Sequence, residues 1–304
     1  MKQRSQLEVE GRMLEVSNLD KVLYPKVGFT KGQVIDYYIK IAPWLLPHLR
    51  NRPITLKRYP DGVEGFFFYE KNCPSHRPKW MKTTKVGKTD GSIDYCVINE
   101  LPALVWAANL ADLELHTFLH KAPAITKPTS VAFDLDPGAP ADIKNCCEVA
   151  LRLNALLGKL RLQCFPKTSG SKGLQVYVPL NTSISYERTK EFARQVAEVL
   201  EQQTPDLVTS RMAKSLRKGK VFVDWSQNDD HKTTVNVYSL RAKDFPSVST
   251  PLTWKEVEAV AKGGKKSSLS FSSNQVIARV RKLGDLFLPV LQLKQKPPVL
   301  RGKL

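Results

Sequence analysis

The stretch Ser130–Gly138, SVAFDLDPG, carries Asp134 and Asp136 two residues apart. Read as a strand, it turns Val131, Phe133 and Leu135 to one face and Ala132, Asp134 and Asp136 to the other. Pro137 and Gly138 end it. Two carboxylates on one strand face repel each other, and no Lys or Arg is adjacent to relieve them. A divalent cation between them removes that repulsion. Hard oxygen ligands of this kind suit magnesium or manganese rather than zinc. The plainer alternative is a strand end with two solvated carboxylates. Farther along, VFVDWSQN at 221–228 repeats the pattern. Val221, Val223 and Trp225 would face a core, with Phe222, Asp224 and Ser226 opposite.

Two further stretches offer contacts to anions. In KTSGSKG, 167–173, Gly170 and Gly173 let backbone N–H groups approach an oxyanion, and Lys172 adds charge. A strand rather than a helix follows, so this is not a P-loop. An ordinary hairpin turn is the alternative. The run TSRMAKSLRKGK, 209–220, holds Arg211, Lys214, Arg217, Lys218 and Lys220 and no acid. It reads as a mobile basic loop against phosphates, or as a solvated face.

The elements that must position these groups follow from periodicity. Thr30-Lys31-Gly32-Gln33 is a capping box, and Val34, Ile35, Tyr38, Ile41 and Ala42 follow at helical spacing. Lys31 falls in the first turn, at the positive end of the helix dipole, where a cation is mildly unfavourable unless an anion docks on the same open N–H groups; a solvated lysine is the plainer reading. Lys21 lies in a segment that can fold back beside it. ITLKR at 54–58 and GFFFYEK at 65–71 read as a hairpin that presents Lys57 and the aromatics Phe66 to Tyr69. Those rings either fill a core or stack on a base. Strand DYCVI precedes a helix from Glu100 to Leu110. DLELHTFLH, 112–120, reads as a strand with Glu114, His116, Phe118 and His120 on one face. No zinc pattern accompanies the two histidines, so each is a phosphate contact or a satisfied core residue. Helices are expected at 141–158, 185–203, 253–262 and 274–283, with Arg241 on a strand at 237–243. The tail KQKPPVLRGKL reads as extended.

The chain has 304 residues, enough for one large or two ordinary domains. Its 47 Lys and Arg against 29 Asp and Glu leave +18, which predicts a polyanionic partner and disfavours an enzyme of small neutral substrates. The five cysteines, Cys73, Cys96, Cys146, Cys147 and Cys164, form no C-x-x-C and read as reduced thiols of a cytoplasmic protein. The N-terminus lacks the apolar core of a signal peptide, and the longest apolar run is broken by charges and prolines, so no membrane is implicated.

DLDPG, then SGSKG before a strand, then the lone acid of VFVDWSQN come in a fixed order. SNLDKVLYP, TKGQVIDYY, KRYPDGV, FYEKN, LVWAANLADLELH and SLRAK accompany them. Together they resemble the archaeo-eukaryotic primase superfamily, and more closely the polymerase domain of ligase D of prokaryotic non-homologous end joining. The resemblance runs from about residue 19 to 283. It implies a mixed α/β primase–polymerase fold with the active site in a cleft between two sheets. It implies one catalytic domain over 1–290, an N-terminal part (1–125) packed with a catalytic part (126–290), then a basic tail, 291–304.

The resemblance also implies roles. Asp134, Asp136 and Asp224 would hold two Mn²⁺ or Mg²⁺ ions. Lys57, His116, Ser169, Gly170, Lys172, Gln175, Gln227 and Arg241 would surround the nucleoside triphosphate, with Phe68 or Tyr69 stacked on its base. Lys21 and Lys31 would hold a downstream 5′-phosphate. Arg211, Lys214, Arg217 and Lys220 would belong to a loop that moves with primer and template. The family usually has His where this chain has Gln175, so an acid–base role there is in doubt. Implied partners are primer–template DNA, DNA ends with a 5′-phosphate, the Ku protein and a DNA ligase; the expected setting is cytoplasmic, at the nucleoid. The implied reaction fills gaps at double-strand breaks, with ribonucleotides preferred. A primase that starts chains unaided, a manganese glycosyltransferase and a non-catalytic DNA-end binding module are the alternatives.

Overall fold

In the computed structural model, which describes residues 4–88 and 91–300, the expected acidic strand lies in the middle of a five-stranded sheet. The chain divides into two compact units. One comprises Met1–Pro123, Thr233–Ser249 and Ser272–Gly284; the other comprises Ala124–Lys232, Thr250–Phe271 and Asp285–Leu304. The fold is mixed α/β in both.

The first unit opens with the hairpin β1 (Arg4–Val9) and β2 (Arg12–Ser17), then the short pair β3 (Val22–Tyr24) and β4 (Phe29–Thr30). Helix α1 (Lys31–Leu49) begins with the expected capping box: Gln33 N donates to Thr30 Oγ1 and Thr30 N to Gln33 Oε1. Val34, Ile35, Tyr38, Ile41 and Ala42 are buried, as the spacing requires. Next come β5 (Pro53–Arg58), β6 (Phe68–Glu70), β7 (Thr83–Lys88), β8 (Gly91–Val97), α2 (Leu101–Asn109) and β9 (Asp112–Thr117). Strand β6 is shorter than the expected 65–71, because Gly62 N and Gly65 N close successive turns onto Tyr59 O and Gly62 O. Its pairing with β5 starts at Arg58 opposite Phe68. The strand expected over 112–120 stops at Thr117.

The second unit is built on β10 (Ser130–Pro137), α3 (Ile143–Lys159), β11 (Phe165–Thr168), β12 (Leu174–Pro179), α4 (Tyr186–Gln203), β13 (Val208–Thr209) and β14 (Val221–Asp224). Its sheet runs β11-β12-β10-β14-β13. Val131, Phe133 and Leu135 of β10, Val176 and Val178 of β12, and Val221 and Val223 of β14 share one face. They pack on Cys147, Ala150 and Leu153 of α3 and on Phe192, Val196 and Leu200 of α4. Alternation therefore sends the acids to the opposite face. Strand β14 is shorter than the expected 221–228: past Asp224 the chain turns into a 3-10 helix, Trp225–Gln227.

The chain then returns to the first unit with β15 (Thr234–Val235), β16 (Leu240–Ala242) and β17 (Pro246–Val248). Strand β15 joins the larger sheet, β15-β9-β5-β8-β7, with β6 paired to β5. Helix α5 (Trp254–Ala261) belongs to the second unit, α6 (Ser273–Leu283) to the first and α7 (Pro289–Gln292) to the second. The tail beyond α7 has no regular structure through residue 300, but Gln295 anchors it: its backbone N donates to Leu180 O and its side chain bonds Gln163.

Two expectations are corrected. The cysteines are not all reduced: Cys73 and Cys96 form a disulfide, while Cys146, Cys147 and Cys164 are free and buried. Cys73 N donates to Asp94 O, which lays residue 73 alongside β8 and brings the two together despite their separation in sequence. The strand before the glycine-containing loop is not the expected LQCF, 162–165, but Phe165–Thr168, and this takes in Lys167. It lies within β11, opposite Gln175 of β12. Among the described residues no helix is long and apolar enough to cross a membrane.

Candidate active site

Directly opposite residues of antiparallel strands put their side chains on one face. Asp134 of β10 lies opposite Asp224 of β14 on one side and opposite Gln175 of β12 on the other. Gln175 in turn lies opposite Lys167 of β11. Lys167, Gln175, Asp134 and Asp224 thus form one row across four strands, with Asp136 one step along the same face. Asp134 is partly buried and its Oδ1 has no hydrogen-bond partner among the described residues. Burial first, then the charge of Asp136, pushes its carboxyl well above the ordinary carboxylate range, with Asp224 adding to the shift. Gln175 opposes this by hydrogen-bonding Asp134. An orphaned oxygen among three acids is the donor set a divalent cation would satisfy.

The row is held from both ends. Lys167 is fully buried, and its Nζ donates to Gln175 Oε1 at 2.6 Å. With its oxygen so engaged, Gln175 turns its N–H toward Asp134. At the other end, Asp224 Oδ1 accepts from Ser226 N at 2.9 Å and Ser226 Oγ at 2.6 Å, while Oδ2 accepts from Gln227 Nε2 at 3.3 Å. Asn228 pins the turn to the strand: its Oδ1 accepts from Ala132 N and its Nδ2 donates to Ala132 O. Sequence reasoning missed this residue. Its only signal was a buried-type polar position immediately after the acidic strand.

The loop between β11 and β12 lies against the same strand. Ser169 N donates to Gly173 O, and Ser169 Oγ accepts from Ser171 N and Gly173 N. Gly170 is left-handed, with φ 68°. A Cβ on Gly173 would lie 2.1 Å from Leu135 O, so only glycine allows this approach. Lys172 stands exposed at the tip. On the other flank, the Arg217 guanidinium stacks 3.7 Å from the Phe222 ring centroid, and Phe222 lies opposite Asp136. Gly138 packs against the Arg217 carbonyl, and Gly138 N donates to Lys220 O. Arg211 is exposed and pairs with Glu201; Lys214 begins a 3-10 turn, Lys214–Arg217.

The first unit gathers a second set of expected residues around one carboxylate. Glu114 Oε2 meets Lys57 Nζ at 3.3 Å and His116 Nε2 at 3.0 Å, and its Oε1 meets Arg241 Nε at 3.3 Å and accepts from Ala242 N at 3.0 Å. Burial opposes ionisation of Glu114, but the His116 hydrogen bond and the charges of Arg241 and Lys57 outweigh it and hold the carboxyl far below its usual range. Burial pushes the His116 imidazole below its ordinary value, against the pull of Glu114. Lys57 Nζ also stands 4.6 Å from the Phe67 centroid and 5.4 Å from that of Tyr69. The aromatic block fills no deep core: Phe66, Phe67 and Tyr69 are 71%, 44% and 53% exposed, with Phe68 half-buried.

Lys21 and Lys31 do come together, with a correction. The first turn of α1 has no open N–H groups at its start: Lys31 N donates to Lys21 O, Gly32 N to Leu19 O and Gln33 N to the capping hydroxyl. Only the side chains remain to meet an anion. Lys31 Nζ donates to Ser17 O at 2.6 Å, and burial followed by the charge of Lys21 pushes its ammonium down to about 8. Lys21 pairs with Asp61 at 3.0 Å. A separate trio, Asp229, Asp230 and His231, could also hold a cation, but Asp229 is engaged by Lys190.

A family model described as "LigD, primase-polymerase domain" matches residues 30–287. The multifunctional non-homologous end joining protein LigD of Mycolicibacterium smegmatis is 42% identical over 283 residues, covering 91% of this chain and 36% of that protein. The bifunctional LigD of Bacillus subtilis is 32% identical over 290 residues, covering 94% of this chain and 45% of that protein. The chain thus spans between a third and a half of these relatives. The solved polymerase domain from Mycobacterium tuberculosis ligase D, in complex with DNA, superposes with a TM-score of 0.85 at 39% identity, covering 91% of this chain and 97% of that one. With its carboxylate row in place and the match running through both units, the chain belongs to the LigD primase-polymerase domain family.

Proposed function

We propose that this chain is a template-directed nucleotidyltransferase that fills gaps and extends primers at DNA double-strand breaks during non-homologous end joining. The observation that carries the reading is Asp134 opposite Asp224, with Asp136 beside them and a buried carboxylate oxygen lacking a partner. That cluster sits in a chain whose net charge is +18. A basic binding module would account for the charge but not for three acids gathered on one sheet face.

Asp134, Asp136 and Asp224 would hold Mn²⁺ or Mg²⁺. Two such ions, when bound, lower the cost of the attacking 3′-oxygen and of the leaving pyrophosphate. The protein's share is positioning. Gln175 and the Ser226 turn orient the carboxylates. The Ser169-Gly170 loop and Lys172 take the triphosphate, Gln227 stays near Asp224, and Lys57, His116 and Arg241 complete the nucleotide contacts with Phe68 or Tyr69 against the base. Arg211, Lys214, Arg217 and Lys220 meet primer and template phosphates, and Lys21 with Lys31 meets the downstream 5′-phosphate. Ribonucleotides are preferred, Ku and a DNA ligase are the partners, and the reaction takes place in the cytoplasm. Gln175 cannot titrate near neutral pH, so no proton passes through it.

The test is extension of a gapped duplex with labelled nucleotides, ribo against deoxyribo, manganese against magnesium, with a primer-free arm. Templated addition dependent on primer and metal is the expected result. Synthesis without primer would favour a chain-starting primase, and DNA binding without synthesis a scaffold.

A further inference from the structure

Between the end of β6 at Glu70 and the start of β7 at Thr83 the chain has no regular structure. It closes two local turns, Arg77 N to Pro74 O and Met81 N to Pro78 O. Its fastenings to β8 fall on two residues of that strand. At the first, Cys73 N donates to Asp94 O at 2.6 Å, Asp94 N donates to Asn72 Oδ1 at 3.1 Å, and Arg77 Nη2 meets Asp94 Oδ2 at 3.2 Å. The second is covalent: the Cys73–Cys96 disulfide, joining residues 23 positions apart in sequence. Two ring contacts, Arg12 on Trp80 at 4.7 Å and His76 with Trp106 at 6.2 Å, touch the segment elsewhere. On either side of Cys73 stand Lys71 and Lys79, both exposed and neither in an ion pair among the described residues. The other three cysteines are poor exchange partners. Cys146, Cys147 and Cys164 are buried in the second unit, and burial pushes the thiols of Cys147 and Cys164 up to about 12, so little thiolate is present.

We propose that Cys73 and Cys96 form a redox switch: joined, they hold Lys71 and Lys79 in place for DNA phosphates, and parted, they release the segment that carries both. The inference rests on the reading above that DNA is the partner and adds a control on its affinity. In a reducing compartment, the setting proposed above, protein disulfides are transient and redox-sensing. To close the switch, the two thiols give two protons and two electrons to a low-molecular-weight disulfide, which leaves as two thiols. To open it, the thiolate of a dithiol reductant attacks one sulfur, forming a mixed disulfide and freeing the other cysteine. The reductant's second thiol then displaces the first cysteine, and the reductant leaves as a cyclic disulfide. Cys73 and Cys96 are 3% and 1% exposed, so either exchange waits for the segment to swing out. Once opened, the segment depends on the single residue Asp94 for its hydrogen bonds to β8. The lysines keep their charge but must be ordered again on binding, which lowers affinity. Lys82 stays fixed through Val97 N to Lys82 O, so the switch acts on Lys71 and Lys79.

Thiol counting, trypsin and DNA binding, all on the full chain, test this. Protein equilibrated with oxidised glutathione and alkylated after unfolding should show three thiols, and five after reduction. Five thiols under both conditions overturn the inference. Tryptic cleavage after Lys71 and Lys79, followed by mass spectrometry, should be about tenfold faster in the reduced protein, because cleavage tracks the open population. Fluorescence anisotropy at one salt concentration should show reduction weakening the binding of a gapped duplex by about threefold or more. Cys73→Ser should match the reduced unmutated protein in both measurements and ignore the reductant. Lys71→Ala with Lys79→Ala should bind weakly in both redox states, so that the effect of reduction on affinity disappears. If Cys73→Ser does not fold, the unmutated protein in its two redox states decides alone. Equal cleavage, or equal DNA affinity, in the two states overturns the inference and leaves the functional reading intact. No DNA binding in either state overturns that reading itself.

Discussion

Lys167 Nζ donates to Gln175 Oε1 at 2.6 Å beneath the carboxylate row, so a buried cation reaches Asp134 through one neutral amide. The amide passes on polarity rather than a proton. Gln175→Leu removes the acceptor and should cost about 1.5–3 kcal/mol, the range for a hydrogen bond to a charged group. Gln175→His should cost less than Leu, because an imidazole accepts at one nitrogen and donates at the other. Denaturant midpoints at pH 8 measure both. Equal midpoints for Leu and Gln would mean that the row does not depend on this bond.

The carboxylates and the basic residues should separate cleanly by mutation. Asp136→Ala should abolish extension while changing DNA affinity by less than about threefold, since phosphates are met by Lys and Arg. Extension within about a factor of ten of the unmutated protein would remove Asp136 from the metal site.

Asp112 predicts a pH effect on stability. It is fully buried in β9, no side chain hydrogen-bonds either oxygen, and burial pushes its carboxyl well above the ordinary range. The folded chain therefore keeps a proton that the unfolded chain releases above about pH 4. Stability on this account falls as pH rises from there toward the folded value. Asp112→Asn removes the dependence and should raise the Tm at pH 8, with the gain shrinking toward pH 4. Each kcal/mol recovered is worth about 2–4 °C in a unit of this size. A gain independent of pH would assign the effect to packing instead.

The paired lysines predict a second pH effect, on binding. Lys31 is pushed down to about 8. Preference for a 5′-phosphate over a 5′-hydroxyl should be full near pH 7 and decline as pH rises through 8. Lys21→Ala with Lys31→Ala should erase most of it. Fluorescence anisotropy on the two gapped duplexes at one salt concentration measures the ratio, expected to be about tenfold at pH 7. A ratio of one at pH 7 would make these lysines a solvated face.

Much of this was legible in the sequence where one-dimensional patterns control three-dimensional outcomes. Alternation placed Val131, Phe133 and Leu135 in the core and Asp134 and Asp136 opposite them. The capping box at Thr30 set the start of α1. What escaped depends on pairing between distant segments. Nothing in KTSGSKG indicates that Lys167 ends up within a strand, because that follows from its register with Gln175. Glu114 could be placed on the face of His116, yet its role as a common partner required Arg241 to arrive from far along the chain. The disulfide escaped for the same reason: spacing alone does not show that residue 73 runs beside β8.

The interleaving of the two units has a consequence for synthesis on the ribosome. Strand β15 and Arg241 belong with strands that emerge before Pro123. The nascent first unit must wait for roughly 110 further residues, or about 5–20 s at bacterial elongation rates. During that interval the β9 edge lacks its β15 partner, and Glu114 faces Lys57 and His116 without Arg241. Neither unit can be completed before the other has largely emerged. The chain therefore completes the cluster around Glu114 late, after most of the second unit has emerged, rather than one unit at a time.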